Sequence, residues 1–291
     1  MPYTSAVIVL YNPVIDELAK NIYAIIPQVN SIILIDNSVR HLNLEFLKEI
    51  RELKKLKIEY IFNNQNLGVA AAQNIGLKMA ISRGAEYLII FDQDSCPSDN
   101  MVRQLFEDYQ LLLENGVSVG AIGPMAINIQ TNKPYNPRIR RFRPFPQVQH
   151  VLQVTELISS GCLLHKDVLT IVGLMDEKLF IDGVDHEWCW RAKTFNYHCA
   201  LTTKARLYHM LGEGDRKFLG INVAITSPFR VYFQYRNFFY LLKKGYVPLY
   251  WKLNNALKYV IKLLYYPVFI HPQKVYFKNI IKGIIDGVKK R

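Results

Sequence analysis

Tyr87-Leu-Ile-Ile-Phe91, followed at once by Asp92-Gln93-Asp94, decides how this sequence folds. Five apolar residues without polar alternation predict a strand buried on both faces, and the polar triplet ends it. Upstream the same pattern recurs three times. Ser5-Ala-Val-Ile-Val-Leu-Tyr11 stops at Asn12-Pro13, Ser31-Ile-Ile-Leu-Ile-Asp36 at Asn37-Ser38, and Ile58-Glu-Tyr-Ile-Phe62 at Asn63-Asn64. Helical patterns separate them at about Ile15 to Ile26, Leu44 to Leu53 and the Ala-rich Ala70 to Ser82. Downstream, Ser98-Asp99 reads as an N-cap region opening a helix to about Glu114, and Val117 to Ile122 as a fifth strand. This alternation predicts an α/β domain, a mostly parallel sheet flanked by helices. Ligands of such sheets bind at the carboxyl ends of the strands. The polar clusters Tyr11-Asn12, Asp36-Asn37, Asn63-Asn64 and Asp92-Gln93-Asp94 all fall there.

Beyond the fifth strand the pattern loosens. Asn128 to Val148, rich in Pro, Asn and Arg (Arg138, Arg140, Arg141, Arg143), reads as a surface hairpin or loop. Leu157-Ile-Ser-Ser-Gly161 leads into another apolar strand and a helix from Lys166. Ile181-Asp182-Gly183 is a polar turn before a helix holding Asp185 to Thr194, and Gly212 to Lys217 is expected to be a mobile loop.

The chain has 291 residues, half of them hydrophobic, which excludes a disordered or collagen-like protein. Its four cysteines, Cys96, Cys162, Cys189 and Cys199, form no Cys-x-x-Cys pair, so neither a disulfide scaffold nor a zinc ribbon is expected and a reducing cytosol fits best. Met1-Pro-Tyr-Thr-Ser5 lacks the basic region of a signal peptide, and no run of 18 apolar residues predicts a spanning helix. The net charge is +12, and the segment Arg230 to Arg291, with 13 basic residues and the single acidic Asp286, carries all of it; the body is neutral. We divide the chain accordingly into a domain at 1–225 and a basic, amphipathic helical region at 226–291. That tail also holds 15 of the 36 aromatic residues, a composition suited to an anionic membrane surface or to nucleic acid. Leu253, Leu257, Val260, Ile261 and Leu264 share one helical face, with Lys252, Lys258 and Lys262 interspersed, and Lys274, Lys278 and Lys282 recur every four residues beyond.

Four motifs carry chemistry. Two carboxylates at Asp92 and Asp94 suit a hard divalent cation, although an Asp-x-Asp also caps helices; its place after a buried strand favours the cation. Asp36 is either a turn former or an acceptor for a nucleobase imide or ribose hydroxyl. Asn66-Leu-Gly68-Val-Ala70-Ala-Ala-Gln-Asn74 leads small residues into a helix N-terminus, where either a ligand or a neighbouring element can approach closely. Asp182, Asp185, Glu187 and Trp188 crowd one turn. A carboxylate here is a candidate general base, and Asp185 and Glu187 cannot share one helix face. His209 is a candidate third metal ligand or a core histidine.

Taken in order, these motifs with Ser160-Gly161-Cys162, Arg191 and His209 resemble a family 2 glycosyltransferase of the GT-A fold, over about residues 4 to 240. Within it, Phe180 to Ala192 and Ser227 to Asn237 are similar to bacterial rhamnosyltransferases of O-antigen and related surface polysaccharides; galactofuranosyltransferases share much of the pattern. The resemblance implies an inverting transfer of L-rhamnose from dTDP-rhamnose. Asp94 and His209, with Asp92, would hold Mg2+ or Mn2+, and Asp185 would be the base. Tyr11, Asn12, Asp36, Asn66, Gly68, Asn74, Asp92 and Gln93 would line the donor site. Gly161, Asp182, Glu187 and Trp188 would lie on the acceptor side. It further implies a polyprenyl-diphosphate-linked saccharide acceptor and a cytoplasmic protein held by its tail at the inner face of the bacterial membrane, with no nucleic-acid partner. Two other classes remain as alternatives. A nucleotidyltransferase is expected to carry a Gly-rich, basic N-terminal loop, which Ser5 to Asn12 lacks. A non-catalytic membrane- or nucleic-acid-binding protein would leave the acidic strand ends without a purpose.

Overall fold

The computed structural model describes residues 1–43, 45–48, 57–135, 142–209, 215–218 and 221–289. The helix expected at Leu44 to Leu53, the arginines 138, 140 and 141, and Gly212 to Gly214 lie wholly or mostly outside them. Twelve strands are described: β1 (Thr4–Leu10), β2 (Ser31–Asp36), β3 (Lys57–Phe62), β4 (Tyr87–Asp92), β5 (Cys96–Pro97), β6 (Val119–Asn128), β7 (Arg143–Phe145), β8 (Val148–Val154), β9 (Leu163–His165), β10 (His198–His209), β11 (Asp215–Phe218) and β12 (Ile221–Ala224). The helices are α1 (Ile15–Ile25), α2 (Val69–Ser82), α3 (Met101–Glu114), α4 (Lys166–Val172), α5 (Val184–Thr194), α6 (Pro228–Leu242), α7 (Leu249–Phe269) and α8 (Gln273–Lys289).

The main sheet runs β3-β2-β1-β4-β9-β6-β10-β8-β7, with β5 paired to β10. Its first four strands are parallel, as the apolar runs predict. The short β9 is antiparallel to both β4 and β6, so the fifth predicted strand does not adjoin the fourth. Of the stretch Asn128 to Val148 read as a surface hairpin or loop, Arg143 to Phe145 forms β7, which pairs antiparallel with β8 running on to Val154. The loop expected at Gly212 to Lys217 is corrected in part, since β11 pairs with β12. Two apolar layers sandwich the sheet; Leu18, Ile22 and Ile25 of α1 fill one, and Ala70, Ala72 and Leu77 of α2 the other. The central strands β1, β2 and β4 are thereby removed from water on both faces, and that burial is the main force favouring the fold.

The tail is bound into this body. Tyr240 and Leu241 of α6 join the core layer that holds α2 and α5. Helix α8 crosses α6 where its glycines face it. A Cβ on Gly283 would lie 2.5 Å from the Tyr232 carbonyl oxygen, and one on Gly287 2.6 Å from that of Arg236. The Tyr232 hydroxyl donates to Asp286 at 2.8 Å. In α7, Ile261 packs inward, whereas Leu253, Leu257, Val260 and Leu264 stay exposed.

Candidate active site

Register brings the acids together. Pairing sets Leu10 of β1 beside Asp36 and Val9 beside Asp92. The two-residue β5 pairs Cys96 with Tyr208, which carries His209 back over the turn after β4. Ligand atoms of Asp92, Asp94 and His209 consequently lie within 4.8 Å of one another. His209 Nδ1 is 2.9 Å from Ser95 Oγ and 3.5 Å from Asp94 Oδ1. Ser160 Oγ donates to Ser95 Oγ at 2.8 Å and accepts from the Asp92 amide at 3.1 Å. This serine relay, unforeseen from sequence, holds the imidazole through Nδ1, as hydrogen-bonded partners of metal ligands do.

Burial pushes the Asp92 carboxyl up to about 6; His209 opposes the shift, Asp94 and Asp185 reinforce it, and Arg230 opposes it. A partly buried carboxylate among further carboxylates is a site short of positive charge. Two carboxylates and an imidazole are the donor set that Mg2+ and especially Mn2+ accept, so the residues fit the implied metal.

Gln93, expected among the donor-binding residues, is used by the protein. Its Oε1 accepts from the Tyr11 amide at 2.7 Å and its Nε2 donates to the Tyr11 carbonyl at 3.3 Å, tying the ends of β1 and β4 together. Tyr11 itself is exposed at the rim, and the Asn12 amide donates to Ser38 Oγ. Asp36 is not the open strand-end acid expected. It is fully buried, with Oδ1 accepting from the Ser38 amide at 2.8 Å and Oδ2 from the Tyr60 hydroxyl at 2.5 Å. Tyr60 passes that anchor to a 540 Å³ cavity also walled by His41, Leu42 and Lys48.

The small-residue turn is corrected further. Asn66 Oδ1 accepts from the Gly68 amide. Gly68 has φ +84°, and a Cβ there would strike the Phe180 ring and carbonyl oxygen at 2.6–2.7 Å. The Val69 and Ala70 amides both donate to the Phe180 carbonyl, at 2.7 and 3.3 Å. The first N–H groups of α2 therefore face protein instead of a phosphate. Asn74 is buried and spent on Met175 and Glu177: Nδ2 donates to the Met175 carbonyl and Glu177 Oε1, and Oδ1 accepts from the Met175 amide. Its role is to position that loop.

Phe180, Asp182 and Gly183 all hold positive φ (66°, 64° and 87°) in the turn before α5. Non-glycine residues keep such angles only where their surroundings hold them. Helix α6 supplies the hold. Asn237 Nδ2 donates to the carbonyls of Leu179, Ile181 and Asp182, and Arg236 Nη2 to those of Lys178 and Leu179. Arg230 clamps Asp182 with Nε–Oδ1 at 2.9 Å and Nη2–Oδ1 at 2.7 Å. The turn delivers Asp185 to the first turn of α5, half-buried and close enough to act electrostatically on Asp92.

The other acidic and aromatic residues of the turn point elsewhere. Glu187 is buried, bonded to Arg191 at 2.9 and 3.0 Å and to the Tyr246 hydroxyl at 2.5 Å. Trp188 is buried with Nε1 on the Gly173 carbonyl. Neither can face an acceptor, which corrects both assignments. Arg191 donates to the carbonyls of Val172 and Leu174 and is structural. Gly161 lies under the site, its amide on the Ile90 carbonyl and its α-carbon against Pro124.

The profile described as Glycosyl transferase family 2 matches residues 5–170. Over 297 aligned residues the chain is 33% identical to a dTDP-rhamnosyl transferase of Shigella flexneri, covering 98% of this chain and 95% of that protein. The crystal structure of the 1–349 form of S. aureus TarS shares the fold at a TM-score of 0.59 and 12% identity, over 99% of this chain and 81% of that one. That of GalNAc-T7 with UDP, GalNAc and Mn2+ does so at 0.58 and 15% identity, over 89% of this chain and only 54% of that longer one.

Proposed function

The chain belongs to glycosyl transferase family 2 and has the GT-A fold, and from that premise we propose that it transfers L-rhamnose from dTDP-rhamnose, with inversion, to a lipid-linked saccharide of a bacterial surface polysaccharide. The observation that carries the reading is the convergence of Asp92, Asp94 and His209 from the ends of β4 and β10, with Asp185 at the start of α5 near enough to act on Asp92. Asp94, His209 and Asp92 would hold Mg2+ or Mn2+. Such a cation, when bound, neutralises the diphosphate leaving group. Asp185 accepts the proton of the attacking acceptor hydroxyl, and a displacement with one base on one side and the leaving group on the other inverts the anomeric carbon. Arg230 fixes Asp182 and the turn from which Asp185 works. Tyr11 and the tied ends of β1 and β4 border the nucleotide, with Tyr60 and the cavity beside it on the base side. The rhamnosyl assignment rests on the 33% identical relative.

The basic tail holds the protein at an anionic membrane from the cytoplasmic face, where a polyprenyl-diphosphate-linked acceptor would be met. Two observations support this: the +12 charge of residues 230–291 and the exposed apolar face of α7. The test is calorimetric titration with dTDP-rhamnose, UDP-galactofuranose, UDP-glucose, UDP-N-acetylglucosamine and GDP-mannose, with Mn2+ and then with EDTA. Mn2+-dependent binding of dTDP-rhamnose alone is expected. Tight binding of a UDP-sugar would discard rhamnose, and no binding at all would discard the transferase reading of the site.

A further inference from the structure

A second cavity, of 670 Å³, opens at the far end of β10 from His209. His198 and His209 are the two ends of this twelve-residue strand, at most about 36 Å apart at about 3.3 Å per residue. Its walls include Arg143, Lys193, His198 and Tyr250, together with Leu249 and Leu253. Among the described residues Arg143 and Lys193 make no ion pair, and His198 Nδ1 meets the side-chain amide of Gln153 at 2.8 Å. The nearby Glu156 is engaged by Trp190 Nε1 and the Tyr250 hydroxyl. The N-terminus of α7, the positive end of its dipole, opens at the same place, behind Pro248.

From this basic mouth an apolar stripe leads away. Leu249, Leu253, Leu257, Val260, Leu264 and Val268 are each more than half exposed. At about 100° per residue all six fall within an arc of about 100°. Their spacing of 4-4-3-4-4 follows an eleven-residue period instead of a heptad, so the stripe stays nearly parallel to the helix axis and does not wind into a left-handed coiled coil. A straight stripe suits a flat surface better than a second copy of this helix. Helix α7 contains no acidic residue. A pocket of cations continuous with a row of leucines is complementary to one kind of molecule, an anionic head on apolar chains.

We infer that the 670 Å³ cavity seats the phosphate headgroup of an anionic bilayer phospholipid, held by Arg143, Lys193 and His198, while α7 lies in the membrane plane with Leu253 and Leu257 among the acyl chains. This rests on the membrane contact proposed above and makes it site-specific. The seat is at the opposite end of the sheet from the acid cluster, so the bound phospholipid orients the catalytic cleft without entering it.

The test uses the full chain and flotation with vesicles of phosphatidylglycerol in phosphatidylcholine or of phosphatidylcholine alone. Wild type is expected to float only with the anionic vesicles. Arg143→Gln with Lys193→Gln is expected to lower the bound fraction at least tenfold, with melting temperature and donor binding unchanged. Leu257→Asp is expected to release the protein as well. Lys20→Gln with Lys78→Gln, the same charge change on exposed side chains elsewhere, is expected to float like wild type. Equal flotation of the Arg143/Lys193 variant would overturn the seat and leave membrane contact standing. An equal loss in the Lys20/Lys78 variant would overturn it in favour of diffuse charge. No flotation of wild type would overturn both the seat and the membrane contact, without touching the donor-binding result. Binding of free glycerol phosphate as tightly as of vesicles would assign the cavity to a soluble anion. Dimers that Leu257→Asp converts to monomers would assign the stripe to a second copy.

Discussion

Asn237→Ala tests how the base is positioned, because Asn237 touches neither metal ligands nor Asp185. Its amide group serves the carbonyls of Leu179, Ile181 and Asp182. Leu179 keeps other donors, the Arg236 guanidinium and the Ile181 amide. The Ile181 and Asp182 carbonyls lose the bonds from Asn237. An orphaned buried acceptor costs about 1–3 kcal/mol, and two neighbours that relax together cost about 2–4 kcal/mol. For a chain of this size that lowers the melting temperature by about 3–7 °C. Relaxation lets Phe180 and Asp182 leave their left-handed angles, which draws the Phe180 carbonyl off the start of α2 and Asp185 off its line to the acceptor. Transfer is therefore expected to fall about a hundredfold in kcat, a small displacement of a catalytic group being enough for that, while donor affinity changes little. Thermal denaturation, donor calorimetry and initial rates on one preparation read all three. Asn237→Asp keeps the shape and the oxygen that accepts from Arg236 Nε and Nη2 but removes the donors, so a matching loss in kcat assigns the effect to the three carbonyl bonds. A melting temperature within about 2 °C of wild type, with full kcat in both variants, would refute this account.

Asp185→Asn should keep donor binding and lower kcat by about 10²–10⁴-fold, the usual worth of a general base; equal rates would remove Asp185 from that role. Asp94→Ala should abolish Mn2+-dependent heat on donor titration, with the melting temperature of the metal-free protein unchanged because Asp94 is largely exposed. Asp92 in the metal-free protein sits near 6, and metal binding needs the carboxylate; Mn2+ affinity should therefore weaken roughly tenfold per pH unit below that point, on top of any loss from the imidazole. Flat affinity from pH 7 to 5 would show that Asp92 is not a ligand. Gly68→Ala forces a Cβ into Phe180 at a positive φ and should cost about 2–4 kcal/mol, seen in urea denaturation.

The sheet and its acidic rim were legible because continuous apolar runs and their polar stops are local signals. Asp92, Asp94, His209 and Asp185 could be singled out because each sits at an element end, and the fold brings those ends together. What each neighbouring side chain does was not legible. Asn74 is satisfied by Met175 and Trp188 by Gly173, partners that only the folded chain supplies. Glu187 and Asp185 were expected to diverge on the helix, but only packing of Tyr246 and Arg191 shows which one is buried. The positive φ of Phe180 leaves no mark in composition, since an aromatic residue does not favour that angle as glycine does. Ser95 and Ser160 stand in plain view beside Asp94 and Gly161, yet a serine relay has no spacing rule. The nearest signal was the run Arg236-Asn237, which marked the subgroup without disclosing that it grips the turn.

The glycine contacts between α6 and α8 bear on how the protein can be handled. An exposed, lysine-rich, apolar tail invites removal to obtain a better-behaved enzyme. Cutting before Gln273 would bare the backbone of α6 at Tyr232 and Arg236, the helix that also holds the turn before α5. A shortened protein could then bind nucleotide and still turn over poorly, and its inactivity would be misread as the want of a membrane. Point charges on the outer face of α7 leave that buttress intact and are the cleaner route to a soluble enzyme.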